Sequence, residues 1–218
     1  NFLIKNNFIN ESWNALNTLI QNASTVGAID LKFYNIEENN NFIFFDRLKN
    51  QEFKLLYLVG SDNLEIKKDN EFIIYQGSHG DRNAEIADVI LPSPTYTEQS
   101  GLFINLEGRV QECRKASYPT NEAIEDWKIF NLISNKLFKS NLYNDFSSIR
   151  NLALKEIPMF TEIDLLPKQN ESINSKILPE ASKEKIKIKP IDYYYSNAIA
   201  RASKTMSDCR NIFNNNKK

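Results

Sequence analysis

The sequence predicts an α/β fold with a mostly parallel sheet, one β-hairpin, and an extended C-terminal segment ending in a helix. Three observations predict it. Short apolar runs at 54–59, 71–75 and 87–91 are each closed by Gly or Pro within two residues, as buried strands of such a sheet are. Apolar residues recur at three- and four-residue spacing in three other stretches, which is the helical period. Five of the six glycines (60, 77, 80, 101 and 108) fall in the window that joins these runs, where the chain must turn.

In chain order, Trp13, Leu16, Ile20 and Ala23 predict a helix from Asn10, with Gly27 at its left-handed end. The Asn- and Glu-rich stretch from Lys32 to Asn50 lacks a clean period and reads as a connection, despite its aromatic cluster at Phe42 to Phe45. The three strands follow, and their continuous apolar character suggests a sheet covered on both faces. Residues 101–114 alternate loosely around Glu107-Gly108, a tight hairpin turn that needs positive φ at the glycine. A helix is expected from Thr120 or Asn121, with Glu122, Glu125 and Asp126 near its positive end and Ile124, Trp127, Phe130, Ile133 and Leu137 as its stripe. Pro158, Pro167 and Pro179 break residues 141–190 into an extended, surface-wrapping segment that includes the Lys/Glu-rich run 183–189. A last helix, from about Tyr193 to Phe213, carries Tyr195, Ile199, Ala202, Met206, Cys209 and Phe213 on one stripe, to dock on the same domain or on a partner.

Composition narrows the function. The chain of 218 residues has 27 basic and 28 acidic side chains, so no long-range field steers it to nucleic acid. Its longest apolar stretches fall far short of the roughly 20 residues a spanning helix needs, so no direct membrane insertion is expected. Cys113, Cys209 and the single His79 cannot make a zinc or iron–sulfur ligand set, so no metal is expected on this chain. Asn is the commonest residue and Lys far outnumbers Arg, a skew that follows A/T-rich codons. Asn10-Glu-Ser12, Asn22-Ala-Ser24 and Asn170-Glu-Ser172 therefore match the glycosylation pattern by chance.

Candidate sites are few. Gly77-Ser78-His79-Gly80-Asp81 follows a strand, where α/β proteins bind phosphates, although the same pattern makes an ordinary strand-end turn. His79 is an acid/base candidate without a second group at a definable spacing. Glu98, Glu107, Arg109 and Glu112 surround the hairpin, and Cys113 lies beside Arg114. No catalytic constellation stands out.

The same window carries a resemblance. Tyr75-Gln-Gly-Ser-His-Gly-Asp81, Ala87-Asp-Val-Ile-Leu-Pro92, Tyr96-Thr-Glu98, Asn105-Leu-Glu-Gly-Arg109 with Gln111, and Glu125-Asp-Trp-Lys128 resemble, in order and spacing, the C-terminal part of the large iron–sulfur subunit of respiratory complex I, NADH:quinone oxidoreductase. Trp13-Asn-Ala-Leu-Asn17 with Ala23-Ser-Thr-Val-Gly-Ala-Ile-Asp-Leu31, and Ala200-Arg-Ala-Ser-Lys-Thr-Met206 with Cys209, resemble flanking stretches of the mitochondrial form.

The resemblance implies a domain related to molybdopterin oxidoreductases, whose second half is residues 1–140, followed by a wrapping segment at 141–190 and a docking helix at 191–218. It places a vestigial pterin-pocket edge at Gly77, Gly80, Asn105, Glu107 and Arg109, with no catalytic residue and no cofactor bound. The cluster-bearing regions of the full subunit have no counterpart here. The expectation is therefore a split subunit with a cluster-bearing N-terminal partner fragment that holds the iron–sulfur clusters, other peripheral-arm subunits as neighbours, and a place on the matrix side of the mitochondrial inner membrane. Two other readings remain: half of a formate dehydrogenase-like molybdopterin enzyme with a live pocket, and a remnant nucleotide-binding module.

Overall fold

The computed structural model describes residues 5–6, 9–10, 13–14, 25–33, 40–62, 64–166 and 192–215. In chain order these form β1 (Ile9–Asn10), β2 (Trp13–Asn14), α1 (Thr25–Asp30), α2 (Asn40–Lys49), β3 (Leu55–Val59), β4 (Phe72–Gly77), α3 (Arg82–Glu85), β5 (Val89–Pro92), β6 (Gly101–Ile104), β7 (Val110–Cys113), α4 (Asp126–Phe138) and α5 (Phe146–Glu156). A 3-10 turn at Pro158–Thr161, another at Tyr193–Tyr195, α6 (Ala198–Ala202) and α7 (Lys204–Asn215) complete them. The chain gathers into two compact units: residues 1–40, 100–114 and 143–181, and residues 41–99, 115–142 and 182–218.

The second unit holds the parallel sheet, in the order β3-β4-β5, with Leu55 beside Phe72 and Gly77 beside Pro92 in register. All three expected strands are present. Leu56, Leu58, Ile73 and Tyr75 fill one face and pack against Phe44, Leu48, Phe53 and Ile66. Across the other face Phe130 of α4 sets its ring edge-on to Tyr57, 5.9 Å away. Both faces are thus covered in part, while Leu55, Val59 and Phe72 stay about half exposed. Asp88 begins β5 by accepting the Ile73 N–H at 2.8 Å while its own N–H donates to the Ile73 carbonyl, so a side chain extends the ladder by one rung.

The first unit holds the antiparallel hairpin β6-β7, as expected, with Gly108 at φ +82°. Ile104, Val110 and Phe160 form its core, against which Val26, Ala153, Leu154 and Ile157 pack.

Several expected elements differ. The helix from Asn10 is overturned where it can be seen, since β1 and β2 pair antiparallel; its Leu16, Ile20 and Ala23 lie outside the described residues. Gly27 sits inside α1 and does not end a helix; it faces β6, where a Cβ would meet Ile104 at an ordinary contact distance of 3.4 Å. The supposed connection at 32–50 contains α2, whose Phe44 and Leu48, four apart, face the core. It ends in a Schellman motif, with Gln51 at φ +57° and bonds from Glu52 N–H to the Arg47 carbonyl and Gln51 N–H to the Leu48 carbonyl. Gln in place of Gly hid that stop.

Helix α4 begins at Asp126, later than Thr120, because Asn121 takes φ +51° and the Ile124 N–H is spent on the Pro92 carbonyl. Its buried face is Ile129 and Ser134, while Leu137 is exposed. The segment expected to be extended from 141 contains α5, which Asp145 caps by accepting the Ser148 N–H at 2.7 Å; residues 167–191 lie outside the described residues. The single C-terminal helix is broken in two at Ser203, which leaves the helical region at ψ 122°. Asn197 caps α6 through the Ala200 N–H, and Ser203 Oγ accepts the Met206 N–H at the start of α7.

Candidate functional site

The sheet places its best site candidate at the carboxyl ends of β4 and β5, where open parallel sheets bind ligands. A cleft of about 850 Å3 opens there, lined by Ser78 and His79 after β4, by Ser93, Thr95 and Glu98 after β5, and by Thr120–Ala123. Gly77 ends β4 because a Cβ there would lie 2.6 Å from the Cζ of the wholly buried Tyr75. Gly80 turns the loop at φ +59° and Asp81 caps α3 by accepting the Arg82 N–H.

Each loop on the cleft is fixed by its own polar contacts. Ser78 Oγ and His79 Nδ1 are 3.0 Å apart on exposed residues. Glu98 accepts the Thr95 N–H at 3.0 Å and returns its own N–H to the Thr95 carbonyl, a reciprocal turn that accounts for the Tyr96-Thr-Glu98 pattern. Glu98 is thus engaged in turn closure, and among the described residues no third group orients Ser78 with His79.

Behind the cleft lies a buried network that links two motifs noted separately in the sequence. Gln76 is fully buried; its amide donates to Asp126 Oδ1 at 2.6 Å and its carbonyl accepts the Tyr57 hydroxyl. Gln99 donates to the other Asp126 oxygen at 3.0 Å. Next to it Glu125 accepts Lys115 Nζ at 2.9 Å and the Trp127 indole N–H at 2.7 Å. Burial pushes the Glu125 carboxyl up, but the bonds from Lys115 and Trp127 outweigh it and hold the group below its ordinary value. The Glu125-Asp-Trp-Lys128 stretch therefore clamps α4 to the end of the sheet. Burial, with Asp62 accepting its hydroxyl, pushes the Tyr75 phenol well above its usual range, and burial with the Asp126 charge raises Tyr57.

A second constellation escaped sequence reading. Arg201 of α6 forms an ion pair with Asp81, and its Nη1 donates to the Tyr195 carbonyl at 3.2 Å. Both members are mostly buried, so the C-terminal helix ties down the Gly77–Asp81 loop. Both residues lie in the family-like stretches of the sequence, and only their pairing across 120 residues was illegible.

The expected pocket edge falls in both units. Gly77 and Gly80 bracket the cleft-lining Ser78 and His79, while Asn105, Glu107 and Arg109 make the hairpin turn of the other unit. There Asn105 Oδ1 accepts the N–H groups of Glu107 at 3.0 Å and Arg109 at 2.9 Å, and the Gly108 N–H closes on the Asn105 carbonyl. Arg109 Nη1 donates to the Asp164 carbonyl at 2.5 Å, beside the Val110–Ile163 bridge. The Asn-x-Glu-Gly-Arg pattern is explained by turn chemistry and by docking of the segment after α5.

The cleft lining does not suit a phosphate-bearing pterin. Among the described residues its lining presents the carboxylates of Glu98 and Glu122 and no lysine or arginine, and Arg201, which reaches the loop at Asp81, is already paired there. Among the described residues no group of three or more His, Cys, Asp and Glu side chains could hold a metal ion.

Comparisons with known proteins give this geometry a lineage. The family model described as molybdopterin oxidoreductase matches residues 1–136, and the model for the C-terminal region of the G-type NADH-ubiquinone oxidoreductase subunit matches residues 166–209. The 75 kDa subunit of NADH-ubiquinone oxidoreductase from Reclinomonas americana is 36% identical over 205 residues, covering 93% of this chain and 29% of that protein. The mitochondrial 78 kDa subunit from Candida albicans is 38% identical over 221 residues, covering 95% of this chain and 29% of that protein. The G-type NADH-quinone oxidoreductase subunit of Rickettsia typhi is 38% identical over 206 residues, covering 94% and 29%. The chain thus spans less than a third of the length of these relatives.

Proposed function

The chain belongs to the molybdopterin oxidoreductase family, and from that premise we propose that it serves as a structural portion of the large iron–sulfur subunit of mitochondrial NADH:ubiquinone oxidoreductase, with no redox centre of its own. The observation that carries the reading is the continuity of the likeness, which covers at least 93% of the chain in these relatives and runs into the match at residues 166–209. The structure supplies a physical counterpart: Arg201, inside that match, grips Asp81 of the molybdopterin-type loop.

In this reading the cluster-bearing N-terminal portion of the subunit is the main partner, whether continuous with this sequence or on a second polypeptide, and it holds the iron–sulfur clusters through which electrons pass. Other peripheral-arm subunits are neighbours, and the place is the matrix face of the inner membrane. Among the described residues no helix is long and apolar enough to cross a membrane, which suits a peripheral position. Native electrophoresis of mitochondrial membranes should show this chain migrating with NADH dehydrogenase activity. A chain found consistently free of that band overturns the proposal.

The family match itself favours one alternative, half of a molybdopterin-dependent, formate dehydrogenase-like enzyme with a live pocket. The acidic cleft lining opposes it. Stoichiometric molybdenum or tungsten in the purified assembly would establish that alternative in place of the structural reading.

A further inference from the structure

In the unit that holds the parallel sheet, the connections between strands identify the unfinished edge. The link from β3 to β4 sets Ile66 against the face formed by Leu56, Leu58, Ile73 and Tyr75, and the link from β4 to β5 sets Ala84, Ile86 and Ala87 against the same face. Helix α2, which leads into β3, packs Phe44 and Leu48 there too. Crossovers between parallel strands are right-handed almost without exception, so those that lie on one face step across the sheet in one direction. Here that direction is β3 to β4 to β5. A crossover through α2 therefore starts from a parallel strand on the side of β3 away from β4, and among the described residues the sheet has no strand there.

The chemistry of the two edges agrees. Leu55–Val59 has no proline and no charge. The Lys54 carbonyl accepts the Phe72 N–H and the Gly60 N–H reaches the Gln76 carbonyl, so the alternation of the strand turns the backbone groups of Leu55, Tyr57 and Val59 to the outer side. Leu55 and Val59 are 54% and 49% exposed. Edge strands that face water are blunted by prolines, charges or covering groups. β5 is blunted in this way, since it ends in Pro92, whose carbonyl takes the Ile124 N–H at 3.4 Å. β3 carries no such device within the strand. A second copy set edge to edge about a two-fold axis would pair β3 with itself antiparallel and give α2 no strand to cross from.

We infer that the cluster-bearing portion of the subunit supplies a β-strand that lies parallel to β3 on its outer side, as the strand from which the chain crosses over through α2. The relatives extend far beyond the stretch that this chain matches, so that portion has the length to provide it. The inference rests on the functional reading above and adds the edge, the direction and the kind of segment that docks.

The test is photo-crosslinking in the assembled complex, with p-benzoylphenylalanine placed at Leu55 and, separately, at Val59, and the adducts mapped by peptide mass spectrometry. Both positions should join one segment of the cluster-bearing portion, in the same order along that segment as along β3, which marks a parallel neighbour. Two proline variants accompany it. Leu55→Pro and Val89→Pro each remove an outward N–H at the first residue of an outer strand and leave the ladders to β4 intact, so they disturb the sheet alike. Recovery of Leu55→Pro with the complex should be about tenfold lower than that of Val89→Pro. If the unaltered chain runs with the complex but the adducts go to a second copy, map in the reverse order or do not form, or if Leu55→Pro is recovered as well as Val89→Pro, the strand inference falls and the functional reading stands. If the unaltered chain does not run with the complex, both fall.

Discussion

Asp126 sits where one side chain holds a strand and a loop, which makes it the most informative residue to change. Its carboxylate takes the amides of Gln76 and Gln99, and Gln76 has no access to water. Asp126→Ala leaves a buried amide unpaired and should cost about 1–3 kcal/mol, read as a lower urea midpoint with unchanged slope. Asp126→Asn keeps one acceptor and should cost less. Tyr75 and Tyr57 give a second expectation through pH. Their phenols titrate higher in the folded chain than in the unfolded one, mainly from burial and then from neighbouring carboxylates. Such groups stabilise the fold fully below the ordinary tyrosine pKa of about 10 and lose that contribution as pH rises through the folded value. Tyr57 and Tyr75 should therefore contribute a delayed fraction of tyrosinate that appears together with unfolding. A single ordinary titration of all nine, followed by the ultraviolet absorbance of tyrosinate, would contradict the buried network.

At the scale of elements, the C-terminal helices matter through one ion pair. Arg201→Asp should free α6 from the Gly77–Asp81 loop and cost about 1–3 kcal/mol, toward the lower end of broken-pair values because each partner keeps 17% or 19% of its side chain in water. The double change Arg201→Asp with Asp81→Arg should recover part of that loss, checked by a double-mutant cycle on the unfolding midpoint. Elements also show where sequence reading succeeds. The three strands were legible because a buried parallel strand is a short apolar run with a turn residue after it, as Leu55–Val59 and Gly60 are. The hairpin was legible because Asn105 and Gly108 carry their turn chemistry locally. Helix α2 was not, since Gln51 does a job usually given to Gly and, among the described residues, Phe44 and Leu48 alone mark the buried face. The break at Ser203 was not either, because the apolar period continues through it and the cap is a single hydroxyl.

For the whole chain the governing feature is surface left bare. β3 and β5 are the outer strands of the parallel sheet among the described residues, and Leu55, Phe72 and Ile90 on it are about half exposed, as are Leu132, Leu137 and Phe138 of α4 or more so. Open strand edges beside apolar patches pair with whatever is nearby. The purified chain should self-associate at micromolar concentration, and coexpression with the cluster-bearing portion should suppress this, as measured by light scattering. A monodisperse chain that melts cooperatively alone would argue against a shared domain. Legible along the chain were the three parallel strands, the hairpin, the turns at Gly60, Gly80 and Gly108 and the lineage, because each is written in neighbouring residues or in an ordered set of motifs, whereas Gly77 and Gly101, also read as turns, close and open strands. The pairing of Gln76 with Asp126 as one clamp, and the hold of Arg201 on Asp81, emerged from the fold. Those outcomes depend on which distant groups share a desolvated space, where an unpaired polar atom costs most, and no local pattern encodes that distance.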